Sequence, residues 1–303
     1  MLAICAFDAR PLATRHQLPA TSYSASSYSP TSYQLLASYS ASSYSPLATH
    51  NSFMAQRLRL GPQMINTSGE HNAFYRRTLQ VLAEERLPFL IGGAFAVDYL
   101  LGTSRQTKDL DLFVTPEDVP AILETLGMAG YRVEITDPQW LGKAFCGHDF
   151  VDIIFGFGNG ITKIDGSWFP DAVKGELWGV EALFCPLEES LWSKAFVMER
   201  DRFDGADVAH IILLKGPELD WRRILGRFGP HWRVLLAHLT LFGFVYPGRR
   251  DRVPEWVLRE LIGRLSGDLE PSPDSETCFG PYLSRTQYVY DLERLGMVDA
   301  RER

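Results

Sequence analysis

IGGAFAVDYLLGTSRQTKDLDLFV, residues 91–114, decides the fold. PFLIGG, 88–93, reads as a short buried strand that ends on Gly92 and Gly93. AFAVDYLLG then reads as a short helix closed by Gly102, TSRQTK as a polar loop, and DLDLFV as the next strand. Side chains two apart in a strand project to one face, so Asp109 and Asp111 point one way while Leu110 and Leu112 point into a core. Two carboxylates a few ångströms apart raise each other's pKa unless a cation neutralises them. With no His or Cys nearby, that oxygen donor set suits Mg²⁺ or Mn²⁺ better than zinc. A solvent-facing edge strand would satisfy the same spacing, so the surroundings have to decide.

Two surrounding features favour a site. Glycines at a strand-to-helix junction let backbone approach a phosphate, and a helix N-terminus offers free N–H groups and the positive end of a dipole. Gly92-Gly93 on its own is also compatible with a plain turn. Downstream, FVDIIFG places a third acid, Asp152, inside an apolar strand where an unpaired carboxylate would be costly. A third ligand from a neighbouring strand would complete a two-metal cluster that activates an attacking hydroxyl and holds a triphosphate.

Outward from this centre, HNAFYRRTLQVLAEERL is an amphipathic helix, and TPEDVPAILETLGMAG is a capped one that begins at Thr115 or Pro116 and ends at Gly127 or Gly130. YRVEIT and FVDIIFG are strands, and the glycine-rich GFGNGITKID, 156–165, reads as a hairpin turn without the lysine and serine of a P-loop. After about residue 186 the pattern is helical: ESLWSKAFVMER, DGADVAHIILLKG, LDWRRILGRF, PHWRVLLAHLTLFGF and VPEWVLRELIGRL. The expected fold is α/β (α+β), a small mixed β-sheet flanked by helices and followed by a mainly helical C-terminal domain.

Upstream, the nonapeptide SYSASSYSP occurs at 22–30 and again at 38–46, and PLAT at 11 and 46. A Ser/Tyr/Ala/Pro tract cannot bury a core, so residues 1–65 are expected to be a disordered repetitive leader, with Met54 or Met64 as an alternative start. YSPTS at 28–32 resembles the repeat of an RNA polymerase tail, which offers the other reading, a Tyr-rich interaction tail. The expected division is then 1–65, 66–185 and 186–303. A net charge of −7 argues against a nucleic-acid-coating surface. Four scattered cysteines without a CxxC pair suggest neither zinc nor a disulfide framework, and a cytoplasmic location fits. The apolar stretches Phe89 to Leu101 and Val234 to Tyr246 fall short of about 18 residues and carry Asp98 and His238, so no membrane partner is expected.

Gly92-Gly93, then Arg105-x-Thr107-x-Asp109-Leu-Asp111, then Asp152 on a strand resembles the nucleotidyltransferase superfamily of DNA polymerase beta. The resemblance spans roughly 70–215. The stretch 91–119 is similar to stand-alone bacterial nucleotidyltransferases, including abortive-infection type IV toxins, and more distantly to the head domains of tRNA CCA-adding enzymes. PLEESLWSKAFVMERDRFDGADV resembles their post-sheet helical stretch, with Lys194, Arg200 and Asp207 in the corresponding order. The resemblance implies transfer of a nucleoside monophosphate from an NTP to an acceptor with release of pyrophosphate. It implies that Asp109, Asp111 and Asp152 bind Mg²⁺ or Mn²⁺, with Asp152 also orienting or deprotonating the acceptor. Gly92, Gly93, Arg105 and Lys194 would contact the nucleotide. The acceptor, whether tRNA, protein or a small molecule, stays open, as does the oligomeric state. A non-catalytic nucleotide-binding relative and a toxin-antitoxin-type protein of the same fold are the competing readings, and the retained three acids favour catalysis.

Other residues have a plainer explanation. His148 shares a strand face with Asp152 but reads as a surface or loop histidine. Glu188 and Glu189 suit a helix N-terminal dipole. Trp168, Trp178, Trp192, Trp221 and Trp232 suit a core or an interface, and Arg222, Arg223, Arg249, Arg250 and Arg252 a solvated surface.

Overall fold

The computed structural model describes residues 69–103 and 109–302, all within one compact unit, Ala55–Arg303. The leader expected at 1–65 and Arg105 lie outside the described residues. In chain order the elements are α1 (Gly69–Glu84), β1 (Leu90–Ile91), α2 (Gly93–Leu101), β2 (Leu110–Phe113), α3 (Val119–Met128), β3 (Arg132–Asp137), β4 (Leu141–Cys146) and β5 (Asp149–Ile154). The hairpin β6 (Val173–Leu177) and β7 (Val180–Phe184) follows, then the helices α4 (Leu187–Ala195), α5 (Gly205–Lys215), α6 (Trp221–Phe228), α7 (Trp232–Val245) and α8 (Glu255–Gly267). The chain closes with β8 (Thr277–Cys278), α9 (Val289–Leu295) and β9 (Val298–Asp299).

Seven strands form one mixed sheet in the order β3-β4-β5-β2-β1-β7-β6. β2 runs parallel to β5 and antiparallel to β1, and β3, β4 and β5 form an antiparallel meander. Strand alternation divides the two faces at the centre. Leu110, Leu112, Val151 and Ile153 are fully buried on one face, in the core that also takes Leu79 and Leu82 of α1 and Ile122 and Leu126 of α3. Full burial of each such side chain contributes about 1.5–3 kcal/mol. Asp111, Phe113, Asp152 and Ile154 alternate with them and line a cleft on the opposite face.

The expected α/β architecture is present, with helices after the sheet. Two hairpins depart from the sequence expectations. β4, LGKAFC, has a mixed burial pattern because Gly142 and Ala144 fill positions where large β-branched residues would announce a strand. Its turn is the two-residue Gly147-His148, with Gly147 at φ 64 in the first central position. β6 is an exposed edge strand whose turn, Trp178-Gly179, has φ 50 and 81. Trp178 takes this left-handed conformation while its ring stacks on Tyr75 of α1 at 5.3 Å. α3 begins at Val119, later than expected, because Thr115 to Asp118 forms a turn closed by Asp118 N–H to Thr115 O at 3.1 Å and by the Thr115 hydroxyl on Asp118 Oδ2 at 2.7 Å. Among the described residues no helix is long and apolar enough to cross a membrane.

Candidate active site

The strand register assembles the site. Asp111 of β2 pairs with Asp152 of the parallel β5, and Asp152 pairs with Lys143 of β4. On the other side of Asp111, the Gly92 N–H donates to Asp111 O at 2.9 Å. One row across the sheet therefore reads Lys143, Asp152, Asp111, Gly92. Adjacent strands lie roughly 4.8 Å apart, so the two carboxylates on this face are neighbours.

Gly92 and Gly93 are required by what they touch. A Cβ on Gly92 would stand 2.4 Å from the Phe113 ring, and one on Gly93 would stand 1.7 Å from Asp111 Oδ2. Gly93 is also at φ +56, a left-handed conformation that glycine adopts without strain. The pair thus seats the N-terminus of α2 directly against the Asp111 carboxylate, and Gly102 at φ 64 closes the same helix.

The electrostatics follow from burial and crowding. Burial, then the neighbouring Asp152 charge, push Asp111 up to about 7, although Lys194 and Arg202 pull the other way. Asp152 is raised for the same first reason, burial, and is partly held down by Lys143, whose Nζ lies 2.5 Å from Asp152 Oδ1. Lys143 also sits 4.2 Å above the Phe150 ring, which fixes its stem along the sheet. Asp109, one residue before β2, is exposed, yet its charge raises both Asp111 and Asp152. Beside it, the Tyr75 phenol is pushed up to about 12 by burial and then by Asp109.

Lys194 of α4 reaches the cleft from the helical side. Its ammonium is held by Asp204 Oδ2 at 3.0 Å and Asp207 Oδ2 at 2.6 Å. Arg202 shares Asp204, with Nε on Oδ1 at 3.2 Å and Nη2 on Oδ2 at 3.1 Å. Burial alone would raise Asp204, but Arg202 and Lys194 outweigh it and hold this carboxyl below the usual range. One aspartate thus presents two cations beside Asp111.

The cleft encloses about 300 Å³. Gly93, Ser190, Ser193, Lys194 and Arg202 line it, together with Trp140, Phe157, Asn159, Tyr282 and Arg285. The 156–163 loop is closed by an antiparallel bridge from Gly156 to Lys163 and pinned by Asn159 Oδ1, which accepts from the N–H groups of Ile161 and Thr162. It is a turn, as its sequence suggests, and it is also a wall of the cleft.

The structure thus gathers Gly93, Asp111, Asp152 and Lys194 around one space, leaves Asp109 at its edge, and places Arg105 outside the described residues. Among the described residues no group of three or more His, Cys, Asp or Glu is gathered closely enough to hold a metal ion. His148 is exposed in the β4–β5 turn. Arg200 is exposed, and the arginine of the 198–203 loop that lines the cleft is Arg202. Lys143 also escaped the sequence reading. Its signal is the alternation LGKAFC-GH-DFVDII, two strands around a two-residue turn. Glu188 and Glu189 stand in the first turn of α4, but both carboxylates are committed to α6. Glu188 accepts from the Asp220 N–H at 2.9 Å, and Glu189 from Arg223 and Arg227. Trp168, Trp192, Trp221 and Trp232 are buried.

Residues 76–142 match the family model described as aminoglycoside-2''-adenylyltransferase, a stretch that includes the glycine pair, Asp109 and Asp111 and stops before Asp152. Among solved structures, the chain is similar to ANT(2")-Ia in complex with adenylyl-2"-tobramycin at 21% identity and a TM-score of 0.36, over 58% of this chain and 99% of that one. It is similar to the lincosamide antibiotic adenylyltransferase LnuA with lincomycin bound, at 16% identity and a TM-score of 0.35, over 48% and 98%. A third similar structure is an antigenic nucleotidyltransferase-like protein from Paracoccidioides brasiliensis, at 14% identity and a TM-score of 0.40, over 62% and 94%. No curated protein matches.

Proposed function

We propose that this chain, a protein of nucleotidyltransferase fold, uses a divalent metal to transfer a nucleoside monophosphate from an NTP to an acceptor hydroxyl, releasing pyrophosphate. The observation that carries the reading is the side-by-side pairing of Asp111 and Asp152 at the glycine-seated N-terminus of α2, opposite Lys194. Burying two neighbouring carboxylates is costly unless a cation joins them. The donors are carboxylate oxygens alone, so the set fits Mg²⁺ or Mn²⁺. Asp109, Asp111 and Asp152 are the residues that would hold it. When bound, such an ion supplies Lewis-acid stabilisation of phosphoryl oxygens.

The protein's own groups do the rest. The N–H groups at the start of α2, from Gly93 onward, meet phosphate oxygens, and Gly92, whose own N–H is held by Asp111 O, lets the backbone come close. Lys194 and Arg202 neutralise the triphosphate, with Arg105 from the neighbouring loop as a further contact. Asp152 accepts the proton of the acceptor hydroxyl as that oxygen attacks the α-phosphorus, and pyrophosphate leaves toward Lys194. We keep the division into a catalytic part at 66–185 and a helical part at 186–303, with Lys194 supplied by the second. Of tRNA, protein and small molecule, the family-model match favours a small-molecule acceptor.

The test is incubation with each α-labelled NTP, Mg²⁺ or Mn²⁺ and a cell lysate, followed by separation of protein, RNA and small-molecule fractions. Label in one fraction, lost with EDTA and with Asp111→Ala, is expected. Wild type indistinguishable from Asp111→Ala in every fraction would sink the enzymatic reading.

A further inference from the structure

We infer, resting on the nucleotidyltransferase reading, that Glu199 is a positioning residue for the nucleotide: its carboxylate clasps the C-terminal segment, residues 277–302, and through that clasp fixes the turn that carries Arg202 into the cleft. The C-terminal segment thereby takes part in nucleotide binding. Arg202 depends on where its backbone puts it. Its side chain is 69% exposed and is tied to the fold through Asp204. Exposed pairs of this kind hold a side chain weakly. Yet its charge acts on Asp111, with which it lines the cleft.

Arg202 closes the turn that Glu199 opens. The Glu199 N–H donates to Arg202 O at 2.8 Å, and the Met198–Phe203 bridge and the Asp204 N–H on Val197 O at 3.2 Å lie beneath it. Arg200 and Asp201 at the tip are exposed. On the Arg202 side the turn is anchored by Phe203, whose ring stacks on His238 with centroids 6.1 Å apart. On the other side the anchor is Glu199.

Three donors of the C-terminal segment converge on that carboxylate: the Ser284 hydroxyl, the Arg285 backbone N–H at 3.2 Å and the Thr286 hydroxyl at 3.5 Å. The neighbouring Met198 donates its N–H to Leu283 O at 3.2 Å and accepts from Gln287 Nε2 at 3.3 Å. The segment is closed on itself by the β8–β9 ladder, by the Val298 N–H on Glu276 O at 2.8 Å and by the Tyr282 hydroxyl on Ala300 O at 2.9 Å. It also meets the rest of the fold through the half-exposed Arg285, 3.4 Å from Asp137, and through Tyr282, edge-on to the His231 ring at 5.2 Å. Pro281, Tyr282, Leu283 and Arg285 line the same cleft as Arg202, so Glu199 ties that wall to the turn. All three donors to Glu199 are neutral, so losing the carboxylate leaves no buried charge without a partner.

Charge and position predict opposite signs. Glu199 lines the cleft, and a carboxylate beside a polyphosphate repels it, so neutralising it by charge alone would tighten nucleotide binding. A weaker complex has to come from contact or from position, and coupling to Arg202 separates these two.

The test is calorimetric titration of the full chain with α,β-methylene-ATP in Mg²⁺, for wild type, Glu199→Gln, Arg202→Ala and the double variant. Arg202→Ala is expected to weaken binding about tenfold and Glu199→Gln about fivefold. The double variant should match Arg202→Ala within about twofold, because a residue that acts through Arg202 has nothing left to position. Hydrogen exchange gives the second readout. The Met198 amide, held by Leu283 O, should exchange faster in Glu199→Gln than in wild type and at the wild-type rate in Arg202→Ala. Ser284→Ala, which removes a donor and leaves the charge, should weaken nucleotide binding in the same direction, and it carries the cycle if Glu199→Gln melts below the titration temperature. Glu199→Gln binding as tightly as wild type or more tightly overturns the inference, and so do losses that multiply in the double variant, which would make Glu199 a direct contact. Weaker binding with unchanged Met198 exchange overturns it as well. If α,β-methylene-ATP does not bind the wild-type chain, both readings fall; if it binds and Arg202→Ala leaves its affinity unchanged, only the inference falls.

Discussion

At the scale of the residue, the decisive tension is at Asp111. Its carboxyl is raised from 3.8 to about 7 by burial and then by Asp152, so between these values the metal-free folded chain binds a proton that the unfolded chain releases. Stability from this group is therefore fully present below the unfolded pKa and is lost as pH rises through 7. In EDTA, Asp111→Asn should raise the urea midpoint at about pH 8 by the equivalent of roughly 1–2 kcal/mol and leave it nearly unchanged at about pH 4. Equal midpoints at both pH values would mean that the folded protein tolerates the charge without metal. Lys143 acts in the opposite sense on Asp152. Removing it lets burial hold Asp152 protonated to higher pH, so Lys143→Met should move the acid limb of kcat/KM upward while sparing the alkaline plateau. A uniform fall across the pH profile would instead show that Lys143 matters only for packing.

At the scale of the element, the β4–β5 hairpin sets Lys143 opposite Asp152, and its register depends on a turn with one glycine in the left-handed region. A Cβ on Gly147 would meet nothing within 4 Å, so Gly147→Ala isolates the backbone cost. Denaturant melts should show a loss of about 1–2 kcal/mol, with the positions of Lys143 and Asp152 preserved. A larger loss would indicate a register slip. The same hairpin shows where sequence reading stops. DLDLFV was legible because leucines alternate with two acids, and FVDIIFG because one acid is embedded in an apolar run. LGKAFC was not, because Gly142 and Ala144 depress its apparent β-propensity while it sits buried inside the sheet. Trp178-Gly179 does not look like a hairpin turn because the tryptophan is chosen for its stacking on Tyr75, and packing here overrides turn preference. Arg202 was missed in favour of Arg200 for a related reason. The two differ only by where the 198–203 loop turns, which is set by the bridge from Met198 to Phe203. The five helices α4 to α8, with their apolar stripes, were legible, and Lys194 with them, whereas the short α9, which has no buried residue, was not.

At the scale of the whole fold, the helical part is joined to the loop under the cleft through one buried carboxylate. Glu189 of α4 has no exposed side-chain surface, and its Oε1 accepts from Arg223 Nε at 2.8 Å and Arg227 Nε at 2.9 Å. The same arginines reach across to the β5–β6 connection, Arg223 to Asp171 and Arg227 to the Ser167 hydroxyl at 2.8 Å. Arg227 also lies 6.0 Å from the ring of Trp168, which packs beneath Phe113 and Phe157. Burial raises Glu189, and Arg223 and Arg227 offset part of that rise, so its charge depends on two cations that depend on it in turn. Breaking a buried pair by neutralising one partner typically costs about 3–5 kcal/mol, because the cations are left without a counter-charge. The arginines here keep some exposure and other partners, so the lower end of that range is the expectation for Glu189→Gln. Denaturant titration should show the loss, while calorimetry well below the melting temperature should give unchanged affinity for α,β-methylene-ATP, since Glu189 faces α6 and the β5–β6 loop. Unchanged stability would show that Arg223 and Arg227 are held by Asp171 and Ser167 alone. A loss of nucleotide affinity without a loss of stability would show that the carboxylate orients Lys194, one turn further along α4, more than it joins the two parts.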